Sequence, residues 1–194
     1  MDILIENLEK KIWKTRGARF NAHRRMRLNN LYSTLSVTVL TVSIIGMNLC
    51  IFLPDYQSKS TLVTLLTIGL SVFVLAISQL IAAREYGLKA INFHKCGCEL
   101  SALLDELSIL KVRKTVSEQE LKQIFEKYEA LLIKYDNNHA GIDVKQFKAQ
   151  HPKEYSLSRR QILFICLQWI FQIYLVYFLL GIVLPFLGFY LIFN

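Results

Sequence analysis

Charged residues are almost absent from two long parts of the 194-residue chain. Apart from Asp55 and Lys59, residues 28–83 contain no Asp, Glu, Lys or Arg, and residues 161–194 contain none. Three apolar runs in these parts are each long enough to cross the roughly 30 Å hydrocarbon layer of a membrane at about 1.5 Å per residue. These runs are Leu35–Leu53, Leu62–Ala83 and Leu163–Phe193. The sequence therefore predicts an all-α, polytopic membrane protein with three transmembrane helices.

Motifs that support catalysis are also missing. The sequence has no nucleotide-cradling glycine loop, no Gly-x-Ser-x-Gly elbow and no paired carboxylates in a predicted pocket. His94, Cys96 and Cys98 lie close together, but Cys96 falls on a different helix face from the other two, and no second ligand pair follows at zinc-site spacing. Four cysteines in spans and on the cytoplasmic side do not form a disulfide framework. We expect no enzyme activity, no metal and no cofactor.

The basic residues are distributed unevenly between the connecting segments. Residues 1–31 carry eight Lys and Arg and residues 84–160 carry fourteen, whereas the 54–60 turn carries Lys59 alone. The positive-inside tendency places the two basic segments in the cytoplasm and the C-terminus on the far side of the membrane. We divide the chain into a basic amphipathic helix (1–31), a two-span hairpin (32–83), a cytoplasmic hairpin with its linker (84–160) and a third span (161–194).

The excess positive charge lies beside the spans and lacks interleaved aromatic residues. We therefore expect it to face anionic lipid headgroups, and we expect no direct binding of nucleic acid. The predicted membrane-surface residues are Arg16, Arg19, Arg24, Arg25, Arg159 and Arg160. In the N-terminal helix, Ile5, Leu8, Ile12 and Trp13 share one side. This side lies either on the membrane surface or against the cytoplasmic helices, and the alternative is a disordered basic tail.

Two apolar stripes follow the second span with alternating spacings of three and four residues, the period of a coiled-coil seam. The first helix is expected to continue unbroken from the span, and Ser117 with Glu120 predicts a capping box that starts the second helix. The simplest arrangement is an antiparallel helical hairpin, whose stripes also supply an assembly surface. The predicted seam consists of Tyr86, Ala90, Phe93, Gly97, Leu100, Leu104, Leu107, Leu121, Phe125, Tyr128 and Leu132.

Small residues in the first stripe, Ala90 and Gly97, would allow a neighbouring helix to approach closely. The turn-rich segment 135–143 ends the hairpin, and Ser156 or Ser158 can cap the helix that enters the third span. Pro185 offers a kink or an exit to the interface in that last segment, so two spans plus a re-entrant segment remain an alternative to three crossings.

Uncharged polar residues recur at helical spacing within the spans. Because a polar side chain that faces lipid costs free energy, these residues should face other helices or water. They are either hydrogen-bonding contacts between helices or the lining of an aqueous path formed when subunits assemble. The candidate pore-lining residues are Thr34, Thr38, Thr41, Asn48, Gln161, Gln168 and Gln172.

Several segments resemble the SLATT family of membrane effector domains, which occur beside nucleotide-signal synthases and sensors. The resemblance is carried by Arg16-Gly17-Ala18-Arg19-Phe20-Asn21-Ala22 with Arg24 and Arg25, by Tyr86–Ala90 and Phe93–Leu100, and by Asn138–Asp143 with Phe147 and Lys148. It implies a prokaryotic antiviral effector that assembles in the cell inner membrane and breaches it when a partner enzyme signals infection. The third span departs from the two-span family pattern and leaves the pore geometry open.

The leading hypothesis is therefore a homo-oligomeric defence effector that contacts membrane lipids and answers to a partner enzyme, either a nucleotide-signal synthase or a reverse transcriptase. The alternative is a non-catalytic membrane scaffold that recruits a soluble partner through the cytoplasmic hairpin. A membrane-embedded enzyme is the least favoured of the three. A change in membrane potential on expression distinguishes the first hypothesis from the second.

Overall fold

The computed structural model describes residues 2–113 and 116–193, which form helices joined by short connections, without a β-strand in that part of the chain. The helices are α1 (Asp2–Cys50), α2 (Ser60–Ala83), α3 (Tyr86–Val112), α4 (Glu118–Lys134), α5 (Gly141–Gln150), α6 (Pro152–Tyr155), α7 (Arg159–Phe178) and α8 (Leu184–Phe193). A 3-10 turn occupies Pro54–Lys59, and a π-helical segment, Leu179–Val183, joins α7 to α8. The all-α prediction is confirmed.

The chain divides into two compact units. The first unit contains Met1–Arg27 and Gly87–Trp169, and the second contains Leu28–Tyr86 and Ile170–Asn194. The boundaries between the two units fall inside α1 and α7. The predicted division at residue 31, between the N-terminal helix and the first span, also lies within the unbroken α1. Each unit has its own core.

The core of the first unit is built from α3, α4 and the N-terminal part of α1. Ile5, Leu8 and Ile12 of α1 pack against α3 and α4, which corresponds to one of the placements that the amphipathic pattern left open. Ion pairs Glu106–Lys127 and Glu99–Lys134 connect α3 and α4 in antiparallel order. The buried side chains of this core are Ile5, Leu8, Ile12, Cys96, Leu100, Leu103, Leu107, Ile124 and Tyr128.

The predicted seam residues differ in burial. Ala90, Phe93, Gly97, Leu100, Leu107 and Tyr128 are buried, whereas Tyr86, Leu104, Leu121 and Leu132 are partly buried. Phe125 is 45% exposed, and the neighbouring Ile124 is 1% exposed. The reason is the third helix: α1 packs beside the two predicted helices, which also buries Cys96 and Leu103. The seam is therefore occupied within one chain.

The capping box predicted at the start of α4 is confirmed. The backbone N–H of Ser117 donates to the Glu120 carboxylate at 2.9 Å, and the backbone N–H of Glu120 donates to the Ser117 hydroxyl at 3.2 Å. The start of α3 differs from the prediction of an unbroken helix. Arg84 and Glu85 separate it from α2, and Glu85 has a φ of 51°, a left-handed conformation that costs a side-chain-bearing residue about 1–2 kcal/mol.

In the second unit, residues 28–50 of α1 pack against both α2 and residues 170–193, which include the end of α7, the π-helical segment and α8. Met47, Val63 and Ile192 form its buried centre. The Thr67 hydroxyl donates to the Asn48 side-chain oxygen at 3.1 Å, and the Ser36 hydroxyl donates to the Tyr177 carbonyl at 3.0 Å. These bonds satisfy polar groups away from water, as helix packing within a membrane requires.

Close approach of the helices in this unit depends on two glycines, one in the π-helical segment and one in α8. A Cβ added at Gly181 would lie 3.2 Å from the Ser36 Cα, and one at Gly188 would lie 2.4 Å from the Met47 methyl group. The sequence predicts a kink or an exit to the interface near Pro185, and the structure has the π-helical segment Leu179–Val183 just before this proline. Proline cannot donate to the carbonyl four residues earlier and its ring crowds that carbonyl, so the preceding turn widens.

Gly17 provides the first test of the packing in the first unit. A Cβ added there would lie 2.0 Å from ring carbons of the buried Phe147, so Gly17→Ala should destabilise the chain. Overpacking costs about 1–3 kcal/mol, which exceeds the roughly 1 kcal/mol that alanine gains over glycine in a helix. Thermal unfolding of the detergent-solubilised protein should show a lower midpoint. Gly141→Ala is the control because its Cβ would meet no atom within 4 Å, and an equal loss in both variants would contradict the packing assignment.

Candidate functional site

Arg19 lies in the interior of the first unit. Its side chain is 1% exposed, its guanidinium donates to the backbone carbonyls of Asn137 and Tyr135, and it lies 5.5 Å from the centre of the Phe93 ring. The carbonyls belong to the segment that follows α4. A charge buried in this way must be satisfied by hydrogen bonds, and here the cation orders an otherwise irregular loop.

Arg25 forms an ion pair with Asp143 of α5. Its Nε and Nη2 atoms each donate to a different carboxylate oxygen at 2.8 Å. The Asp143 side chain is fully buried, and it also accepts a 2.9 Å hydrogen bond from the backbone N–H of Ala140. This bidentate geometry is the strongest form of carboxylate recognition by arginine.

The other predicted membrane-surface arginines are all more accessible than Arg19. Arg16 is partly buried, Arg159 and Arg160 are exposed, and the exposed Arg24 lies 5.6 Å from the centre of the Trp169 ring. The structure thus corrects the prediction for Arg19 and Arg25. Both are held by acceptors within the protein because the helix face that carries them packs against α5 and the preceding loop. Charge counting along the sequence does not distinguish the two groups.

An amide pair fixes the other end of α5. Asn21 and Gln150 exchange side-chain hydrogen bonds of 3.2 Å, and the Asn21 amide also donates to the Asp143 backbone carbonyl. The ring of Phe20 lies against Gly97, whose added Cβ would be 2.8 Å from it. The segments that carry the family resemblance therefore meet in the first unit, and Gly97 is the close-approach position that the sequence predicts.

His139 lies beside this network without a full set of partners. Its Nδ1 atom is buried and has no hydrogen-bond partner in the part of the chain that the structure describes. Burial lowers the pKa of its imidazole, and the positive charge of Arg19 lowers it further. The neutral ring is therefore favoured in the folded protein.

The candidate pore-lining residues do not share one environment. Thr34, Thr38 and Thr41 are exposed, and each hydroxyl donates to the carbonyl four residues earlier at 2.8–2.9 Å. Asn48 instead contacts Thr67 inside the second unit. A hydroxyl satisfied by its own helix tolerates either lipid or water, so the three threonines form one continuous polar track on the outside of α1.

The three glutamines are also in different settings. Gln161 belongs to a capping box: its side-chain oxygen accepts from the Ser158 N–H at 2.9 Å, as expected for a serine cap at this helix start. The side-chain oxygen of Gln168 is buried without a partner among the described residues, and Gln172 is exposed. Sequence spacing placed these three side chains on one face and indicated a serine cap, but it did not reveal that Gln161 is the partner of Ser158 in that cap.

The cysteine and histidine cluster on α3 splits as its helical spacing predicts. Cys96 is fully buried, and burial raises the pKa of its thiol, whereas the exposed Cys98 lies 3.7 Å from His94 Nε2. Within residues 2–113 and 116–193, no group of three or more His, Cys, Asp or Glu side chains is arranged to hold a metal ion. The arrangement of the side chains described above serves helix packing and ion pairing within the first unit.

Asp143→Asn should destabilise the first unit. The substitution keeps the shape of the side chain but leaves the Arg25 guanidinium partly buried without its counter-charge, a loss of about 3 kcal/mol. Thermal unfolding and limited proteolysis of the purified protein measure this loss. Asp136→Asn removes an exposed carboxylate from the loop that precedes α5 and serves as the matched control. Equal stability of the two variants would show that the buried pair contributes little.

The His139 environment predicts that stability depends on pH. Because the folded-state pKa lies below the ordinary value, the unfolded chain takes up the proton first, and the free energy of unfolding should fall as pH drops through about 6.5 and below. His139→Gln should flatten this dependence, whereas His94→Gln, at an exposed histidine, should keep it. Denaturant titrations at a series of pH values test this. A dependence that His139→Gln leaves unaltered would rule out this histidine as its source.

Comparison with known protein families gives a match over almost the whole chain. The model of SMODS and SLOG-associating 2TM effector domain family 5 covers residues 1–191, whereas no curated protein and no solved structure matches. Among the described residues, three helical segments are long and apolar enough to cross a membrane: Ile3–Cys50, Pro54–Val112 and Arg159–Phe193. These segments and the family indicate a membrane protein with an effector role. The chain belongs to SMODS and SLOG-associating 2TM effector domain family 5.

Proposed function

We propose that this protein is a prokaryotic antiviral effector that oligomerises in the inner membrane and permeabilises it when a partner enzyme signals infection. The supporting observation is the surface of the second unit. In α2 the buried residues are Val63 and Thr67, and long apolar side chains along the rest of the helix are exposed. In a membrane, such a surface is covered by lipid or by another copy of the chain.

The threonine track on α1 supplies a polar lining for the proposed path. Thr34, Thr38 and Thr41 are exposed at successive turns, and their hydroxyl oxygens retain lone pairs after each O–H has bonded to its own helix. When the chains assemble with this track inward, water gains acceptors along the span. The span cores contain no charged side chain, so the path would discriminate little between ions.

Signal input is assigned to the segment 84–160, of which residues 87–160 belong to the first unit. The basic residues of that segment and of residues 1–31 favour a cytoplasmic location, with the C-terminus on the far side of the membrane. A nucleotide-signal synthase or a reverse transcriptase is the proposed partner. The protein itself acts without catalysis in this proposal, because its effect is a change in membrane permeability.

The direct experiment is induced expression of the full chain in bacteria together with a candidate partner of either proposed class. Membrane potential, followed with a fluorescent dye, should collapse before viability is lost. An unchanged potential with normal growth, at a confirmed level of membrane-inserted protein, would overturn the permeabilising function. Retention of a soluble partner under those same conditions would favour the scaffold function instead.

A triple variant tests whether α1 lines the path. Thr34→Val, Thr38→Val and Thr41→Val together should preserve folding, because each hydroxyl bonds within its own helix and its removal strands no other side chain. Three lost water contacts at about 0.5 kcal/mol each should slow depolarisation about tenfold.

The control is Thr64→Val on α2, whose hydroxyl is likewise exposed and bonded to the carbonyl of Ser60. It should leave the depolarisation rate near that of the unmodified protein. If the control slows ion flow and the triple variant does not, α1 is not the lining helix. Immunoblots of membrane fractions ensure that equal amounts of protein are compared.

A further inference from the structure

A cavity of about 450 Å³ lies in the first unit between α5 and the first turns of α7. Lys145 and Lys148 line it from α5, and Arg160 lines it from α7. Leu157, Phe164 and Gln168 contribute to its wall. The volume falls within the range of sites that bind small molecules.

The charged side chains that line this cavity are all positive. Its wall contains three cations and, among the described residues that line it, no carboxylate. The larger cavity of the same unit, about 810 Å³, differs in this respect. Glu154 is part of its wall, and its residues Lys10 and Lys11 already form ion pairs with Glu6 and Glu129. The smaller cavity therefore has the greater unmet demand for an anion.

The apolar part of the cavity indicates what kind of anion fits. Phe164 is 67% exposed and the adjacent Leu163 is 62% exposed, on a helix that begins a candidate membrane span. Gln168 lies one turn after Phe164 along α7, and its buried side-chain oxygen has no partner in the described part of the chain. Cations at the start of a span, followed by exposed apolar side chains, match a phosphate group with attached hydrocarbon rather than a free phosphate.

We propose that this cavity binds an anionic phospholipid such as phosphatidylglycerol. The phosphodiester lies among Lys145, Lys148 and Arg160, and an acyl chain runs along Phe164 on the apolar side of α7. Long Lys and Arg side chains suit this position because their heads reach the interface while their stems cover apolar surface. This site goes beyond the proposed permeabilising function and is testable without it, since lipid binding is measured on the purified protein.

The test uses the full chain in a neutral detergent, titrated with short-chain phosphatidylglycerol and followed by native mass spectrometry. Each cation near an anionic headgroup contributes about fivefold in affinity, so Lys145→Ala with Lys148→Ala should weaken binding about 25-fold. The matched control is Lys95→Ala with Lys122→Ala, which removes the same charge from exposed positions of α3 and α4. That control should weaken binding less than about threefold.

Two comparison ligands distinguish the possible sources of the anion. Short-chain phosphatidylcholine should bind much more weakly than phosphatidylglycerol, and inorganic phosphate should not compete at millimolar concentration. Equal binding of both lipids, an equal effect of the two double variants, or displacement of the lipid by phosphate would each overturn the proposal. Circular dichroism melts of the variants without lipid confirm that they are folded, and the single variant Arg160→Ala repeats the test from α7.

Discussion

The fully buried carboxylate of Asp143 depends on the guanidinium of Arg25, and the placement of α5 depends on this pair. An unpaired carboxylate at that position would cost several kcal/mol, so α5 can pack on α1 only where the two groups meet. Asn21, one turn before Arg25, holds Gln150 at the other end of α5. Lys145 and Lys148 lie between these two attachments, so the basic wall of the cavity between α5 and α7 belongs to a helix fixed at both ends.

A second constraint governs the spans, where water is not available to polar groups. Hydroxyls of α1 and α2 bond to carbonyls of their own helix, and Asn48 is paired with Thr67. The lipid-facing surface can therefore be almost entirely apolar although threonine and serine recur along it. The same arrangement leaves the threonine track free to face either lipid or a second copy, which is the property that the proposed effector mechanism uses.

Sequence patterns predicted the helices of this structure better than they predicted the contacts between those helices. Apolar length and helical period predicted the spans, and the Ser117 capping box marked the start of α4, because these depend on neighbouring residues. The pairing of Arg25 with Asp143 joins residues 118 positions apart, and no local pattern contains it. Similarly, the stripe on α3 showed an apolar face but not that α1 would cover part of it, which is why Ile124 rather than Phe125 is buried.

The occupied seam limits how the proposed assembly can proceed. Opening the core around this seam would expose Leu100, Leu107, Ile124 and Tyr128, all at most 2% exposed, at a cost of at least about 6 kcal/mol. A ligand present at a thousand times its dissociation constant supplies only about 4 kcal/mol. A signal that had to pull this seam apart would therefore fail energetically. Assembly through the exposed faces of the spans requires no such opening. This favours the second unit as the part of the chain through which the proposed copies meet.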